Sequence, residues 1–194
     1  MGMKIIYKWE HKLADGTIIG EIVRYLTPES EKVDIPHYTP GKSCFEKGIP
    51  EALKPYQLFG LDNYKNPDEL LLVVEGQKVQ AALAGLGLQT ITSILGASNA
   101  ASSDWSPTKQ AKNIYLLPDN DEPGEGYIKG AYDQIRSHGN GSLTRISRLP
   151  NLKDKGDAVN WLQQQPELTG WDGYQPLDKH PAREVLRERL HKEI

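Results

Sequence analysis

Residues 70–74 read Leu-Leu-Leu-Val-Val, an unbroken apolar run that stops at Glu75-Gly76. A strand with one wet face alternates polar and apolar residues. A continuous run of this length suits a strand buried on both faces, as in a parallel sheet covered by helices. The residues that follow change period. Val79, Ala82, Leu83 and Leu86 sit at i, i+3, i+4 and i+7, one face of a helix, and Gly87 is a fitting stop. "TITSIL" (90–95) and "NIYLLP" (113–118) supply second and third strands. Ile128, Ala131, Tyr132 and Ile135 repeat the helical spacing up to about Gly139, "LTRISRL" (143–149) gives a fourth strand, and "DAVNWLQQQ" a short helix. Strands and helices alternating over short connections predict a Rossmann-like α/β fold, a parallel sheet flanked by helices.

The flanks have a different texture. Residues 1–65 begin with two strand-like runs joined by "ADGT", whose Asp-Gly supplies the positive-φ positions of a hairpin turn. The Pro- and Gly-rich "VDIPHYTPGKSCFEKGIP" reads as irregular, with short strands at most. The expectation is a small α+β N-terminal subdomain over 1–65, an α/β domain over 66–165, and a tail over 166–194. The end of that tail, "HPAREVLRERLHKEI", has Pro181 near a helix start and reads as a charged helix, docked on the body or leading elsewhere.

With 38% hydrophobic and 25% charged residues in 194, the chain has the composition of a folded domain rather than a disordered one. A net charge of −3 gives no global basic signature, so nucleic-acid contact would need a local patch. Cys44 is the only cysteine, which excludes an intrachain disulfide and a Cys-rich zinc site. No basic-then-apolar leader is visible and the apolar runs are too short to span a bilayer. The expectation is a cytoplasmic protein with no membrane partner.

In an open parallel sheet, ligands bind beyond the carboxyl ends of the strands. Glu75 follows the first strand there, and Asp119 and Asp121 follow the third in "LLPDNDEPG". If the chain stays extended past the strand, residues i and i+2 face one way, and the two aspartates look at one ion with Asn120 turned aside. Hard cations such as Mg²⁺ favour carboxylate oxygen and keep several waters, so two or three carboxylates suffice. Asp157, after the fourth strand, can reach the same edge. Each acid also has a plainer reading: Glu75 as a charge at a helix N-terminus, Asp121 and Asp157 as helix N-caps.

The ordered set "LLVVEGQKVQAALAGLG", "SDWSP", "NIYLLPDNDEPG" and "KGDAVNWL" resembles the Toprim domain in the form found in DNA primases of phages and plasmids, over residues 70–162. Its hallmarks are the Glu75-Gly76 pair and the Asp119-Asn120-Asp121 triplet. Lys78, Gly96-Ala97, Asp104-Trp105 and Pro118 also fit the pattern. The resemblance implies metal-dependent chemistry at a phosphodiester. Asp119 and Asp121 would bind Mg²⁺ or Mn²⁺, Glu75 would be a general acid/base or a further ligand, and Asp157 a candidate ligand. Lys78 would meet phosphate, Arg24, Lys42, Lys109 and Lys155 would meet nucleic acid or nucleotide, and Tyr7, Trp9 and Tyr25 would stack on bases. Asp104 and Trp105 read as structural.

Two features depart from the pattern: Val79 stands where many primases have an Asp or a hydroxyl residue, and neither a zinc module nor a Walker loop is present. The implied function is a primase catalytic core that joins NTPs on single-stranded DNA in replication of a mobile element, with a helicase as a possible partner. A Toprim nuclease and a non-catalytic nucleic-acid-binding or assembly module are the alternatives.

Overall fold

The computed structural model describes residues 2–38, 47–94 and 96–194. Lys42 and Cys44 lie outside the described residues. The chain opens with β1 (Lys4–Lys12), β2 (Ile18–Leu26) and β3 (Lys32–His37), an antiparallel sheet in that order. The β1–β2 turn carries Gly16 at φ 89°, and Asp15 Oδ1 accepts from the Thr17 N–H at 2.8 Å. The first five residues of the Pro- and Gly-rich stretch, 33–37, are regular strand. Pro36, which has no N–H to donate, is accommodated because β3 is an edge.

The short β4 (Tyr56–Gln57) precedes β5 (Leu70–Val74), which runs into α1 (Gln77–Gly85) and β6 (Gln89–Ile91). Next come β7 (Ser103–Asp104), β8 (Asn113–Leu117), α2 (Glu122–Ser137), β9 (Thr144–Ile146), α3 (Ala158–Gln163) and α4 (Arg183–Glu193). The main sheet has the order β6-β5-β8-β9 with every pair parallel, and helices flank it. β5 is central, and Leu71, Leu72, Val73 and Val74 are all buried, as its unbroken apolar run predicts.

One face of the sheet packs Leu72 and Val74 on α1, α3 and α4, and the other packs Leu71 and Val73 on Trp105 and on Tyr127, Ile128 and Ile135 of α2. A third cluster seats Trp9, Ile22 and Tyr38 against Tyr56, Phe59 and Ile94. The N-terminal sheet is thereby fixed against the segments that flank β5 and β6.

Two local readings change and one open alternative is decided. The second strand stops at Ile91 rather than at 95, because Thr92 turns to exchange backbone hydrogen bonds with Phe59 at 2.8 and 3.0 Å. The fourth strand is three residues long at the sheet edge. The C-terminal helix is docked: Leu186 and Leu190 are buried, and Arg183 Nε donates to the Gly85 carbonyl at 2.9 Å. Among the described residues no helix is long and apolar enough to cross a membrane.

Candidate active site

β5 delivers Glu75 to the carboxyl edge of the sheet, and Gly76 then turns the chain into α1 at φ 80°, ψ 153°. That conformation is open essentially only to glycine, which is the physical content of the Glu-Gly pair. The Gly76 N–H donates to Thr92 Oγ1 at 3.1 Å, while Glu75 Oε2 is buried with no hydrogen-bond partner. Burial, then the charge of Asp121, pushes the Glu75 carboxyl above its ordinary pKa.

β8 delivers Asp119 to the same edge. Its carboxyl is pushed up to about 8, first by burial and then by Glu75, Asp157 and Asp121, with Lys78 acting the other way. Gly124 permits the close approach of α2, since a Cβ there would stand 2.6 Å from the Asp119 carbonyl oxygen.

The chain does not stay extended between Asp119 and Asp121, the condition on which their common facing rested. β8 ends at Leu117, and the Asp121 N–H folds back onto the Asp119 carbonyl at 2.9 Å. Asn120 is pulled toward the β9–α3 loop, its N–H donating to the Gly156 carbonyl and its side chain to those of Leu152 and Lys153. Asp121 becomes the N-cap of α2, accepting from the Gly124 N–H at 2.8 Å. Asp157 likewise caps α3 in a reciprocal capping box with Asn160, and its Oδ2 lies 4.0 Å from Lys78 Nζ. The plainer reading of these two acids is thus realised in the structure, although the charge of Asp121 still reaches Glu75 and Asp119, and that of Asp157 reaches Asp119.

The acids face a cleft of about 450 Å³ whose opposite wall is the N-terminal sheet. Glu75, Asp119 and Asp157 line it together with Lys78 from the first turn of α1, Arg24 from β2, and Lys32 and Asp34 from β3. Arg24 makes a two-pronged bond to Asp34, with Nε–Oδ1 at 2.6 Å and Nη2–Oδ2 at 2.5 Å. Lys32 was not picked out from the sequence, because only the β2–β3 pairing carries it to this cleft.

Other candidates stand elsewhere. Lys109 is exposed in the turn ahead of β8, at the opposite end of that strand from the acids. Lys155 is exposed at φ 59° in the loop pinned to Asn120, near the acids but outside the cleft lining. Trp9 is buried in the third cluster with the partly buried Tyr7 packed against it, and Tyr25, also partly buried, stacks on His37. Trp105 is buried and donates to the Ala100 carbonyl at 2.7 Å, a structural role.

Among the described residues no three His, Cys, Asp or Glu side chains stand arranged to hold a metal ion. The donor set nonetheless suits one. A buried, unpartnered carboxylate oxygen on Glu75 and the nearby Asp119 carboxyl are hard oxygen donors of the kind a divalent cation takes, with water able to fill its remaining positions.

No family model matches this chain, and no curated protein does. Solved structures do. The catalytic core of DnaG is matched with a TM-score of 0.51 at 21% identity, over 80% of this chain and 47% of that one. A DnaG primase catalytic domain bound to single-stranded DNA gives 0.52 at 20%, over 80% and 47%. The zinc-binding and RNA polymerase domains of the Aquifex aeolicus primase give 0.54 at 17%, over 98% and 40%. The fold is an α/β, Toprim-like parallel sheet flanked by helices, similar to that of these primase structures. This chain spans less than half the length of each of these structures, and at such identities the likeness concerns the fold alone.

Proposed function

We propose that the chain is a metal-dependent nucleotidyl-transfer core that joins NTPs into primers on single-stranded DNA. The carrying observation is that Glu75, with a buried unpartnered oxygen, and the half-buried Asp119 line one cleft with Lys78 beside them and Arg24 and Lys32 on the far wall, in a primase-type fold. The DnaG neighbour bound to single-stranded DNA supports the choice of template. The phage or plasmid setting and a helicase partner rest on the sequence resemblance.

Glu75 and Asp119 would hold Mg²⁺ or Mn²⁺, with Asp157 and Asp121 adding negative charge from their capping positions. When bound, the ion neutralises charge on the transferring phosphate and orients the attacking oxygen. The protein's own groups do the rest. Lys78, at the start of α1, places its ammonium where phosphate oxygens would enter beside the acids, and Lys32 and Arg24 offer the far wall to the same phosphates. Glu75, whose proton is held more firmly than an ordinary carboxylate's, is the group able to exchange a proton with the attacking hydroxyl.

One observation favours a non-catalytic binding module instead: Asp121 and Asp157 are both engaged as helix caps. Primer synthesis with NTPs and Mn²⁺ on single-stranded DNA, in wild type and Asp119→Asn, decides between them. Product from the wild type and a loss of at least about 10²-fold in the variant support the polymerase reading. No product from either, with tight DNA binding by both, selects the binding module. Degradation of DNA without NTPs selects a nuclease.

A further inference from the structure

Every basic residue that lines the cleft meets the same aromatic ring, and that ring comes from the C-terminal tail. The centre of Tyr174 is 5.7 Å from Lys78 Nζ, 5.9 Å from Lys32 Nζ and 6.0 Å from Arg24 Cζ, and its hydroxyl accepts from Arg24 Nη1 at 3.3 Å. Those three cations arrive on three different elements, α1, β3 and β2. Tyr174 itself does not line the cleft; it stands behind the cations.

The segment that carries Tyr174 is built to hold it there. Asp172 Oδ1 accepts from the N–H groups of Tyr174 and Gln175 at 2.8 and 3.1 Å, and Trp171 Nε1 donates to the Gln175 carbonyl at 2.9 Å. The ring also packs on Tyr7 and Trp9 at centroid distances of 5.4 and 6.2 Å. Gly173, at φ 84°, lets the turn close over the lysine stem: a Cβ there would lie 3.0 Å from Lys78 Cε and 2.9 Å from a Val159 methyl. A ring face is attractive to cations and costs them little desolvation, so it can gather three like charges that would otherwise repel.

From this the geometry points to Tyr174 as a positioning residue: the Trp171–Pro176 turn assembles the cationic wall of the cleft, so that the tail is part of the phosphate-binding machinery. This rests on the reading that the cleft takes phosphate-bearing ligands. Tyr174 acts through Lys78, Lys32 and Arg24 and touches no reacting atom.

Two substitutions test it. Tyr174→Phe keeps the ring and loses only the hydroxyl to Arg24, and Tyr174→Leu removes the ring. Reductive ¹³C-methylation of the lysines, with the Lys78 signal assigned by its absence in Lys78→Arg, reports the position of the ammonium directly. The signal is displaced by the ring current in wild type and Tyr174→Phe and moves to an ordinary surface-lysine position in Tyr174→Leu. In parallel, calorimetric affinity for ATP with Mn²⁺ falls about threefold in Tyr174→Phe and about tenfold in Tyr174→Leu.

A Lys78 signal that is the same in wild type and Tyr174→Leu overturns the inference, as does unchanged ATP affinity in a folded Tyr174→Leu. Because Tyr174→Phe preserves the packing, the signal and the affinity remain readable if Tyr174→Leu does not fold. In that case the expected threefold loss supports the inference and its absence overturns it. Wild type that binds no ATP sinks the polymerase reading instead, and the positioning of Lys78 is then decided by the methyl signal alone.

Discussion

The two walls of the cleft handle charge in opposite ways. On the sheet side, Glu75 and Asp119 are half-buried, with a buried partnerless oxygen on the first and a strongly raised pKa on the second. On the N-terminal side, Arg24 is held by Asp34 and Tyr174, and its guanidinium lies over Trp9 at 5.0 Å. The first wall is under electrostatic stress that an added cation would relieve, whereas on the second Arg24 already has its counter-charge in Asp34. The difference separates what a ligand must supply from what the fold already provides, and it makes each wall answer differently to mutation and to pH.

The largest contrast is in activity. Asp119→Asn is expected to lower primer synthesis by at least about 10²-fold, while the metal-free protein becomes more stable at pH 8, seen as a melting temperature raised by several degrees. The sign follows from linkage. Asp119 titrates near 8 in the fold against an ordinary 3.8. The native chain therefore binds more protons between those values, stability falls as pH rises through that window, and the penalty is complete above about 8. A variant no more stable than wild type at pH 8 would remove the stress from the acid wall.

His11, beneath the N-terminal sheet, gives the opposite slope. It is buried between the Tyr38 hydroxyl and the Leu58 carbonyl, and burial lowers its pKa from 6.5 to about 4, partly countered by that carbonyl. Unfolded chain binds the extra proton between those values, so stability is full above 6.5 and is lost as pH falls toward 4, by roughly 2–3 kcal/mol. Urea unfolding across pH 4–7 of wild type and His11→Gln checks this. Asp119 contributes a slope of opposite sign to both proteins, so the His11 effect is read in their difference, and the stability of wild type relative to the variant should fall as pH drops from 6.5 toward 4.

On the second wall, Asp34→Ala leaves the Arg24 guanidinium short of its main partner and is expected to cost about 1–2 kcal/mol, with no gain at any pH. The smallest effect concerns the acid that serves as a cap. Asp121→Ala should cost about 1 kcal/mol of stability and Asp121→Asn a few tenths at most, since Asn can accept from the Gly124 N–H as Asp does. If Asp121→Asn also retains full primer synthesis, its charge is dispensable and the cap is its whole role.

What could be read from sequence follows the range of the forces involved. Leu70–Val74, the helix face of Val79, Ala82, Leu83 and Leu86, and the glycine at 76 are set by neighbours a few residues away, and their elements are where the periodicity puts them. The site was legible as far as strand ends could carry it: Glu75 and Asp119 share one edge because β5 and β8 pair in parallel from Leu70–Asn113 to Val74–Leu117.

Contacts distant in sequence were hidden. Thr92 leaves the strand for Phe59, the bend after Leu117 turns Asp121 into a cap, and Trp9 disappears into a core shared by both sheets. Lys32 and Tyr174 gave no local signal, for one is an ordinary strand lysine and the other a turn tyrosine until the fold sets them around Lys78.

The central claim is that Glu75 and Asp119 form a divalent-cation site, and Mn²⁺ titration followed by electron paramagnetic resonance tests it most directly. The account predicts saturable Mn²⁺ binding by the wild-type chain that is lost in both Glu75→Gln and Asp119→Asn and retained in Asp34→Ala. Equal Mn²⁺ binding by the wild type and the two acid-wall variants would contradict it.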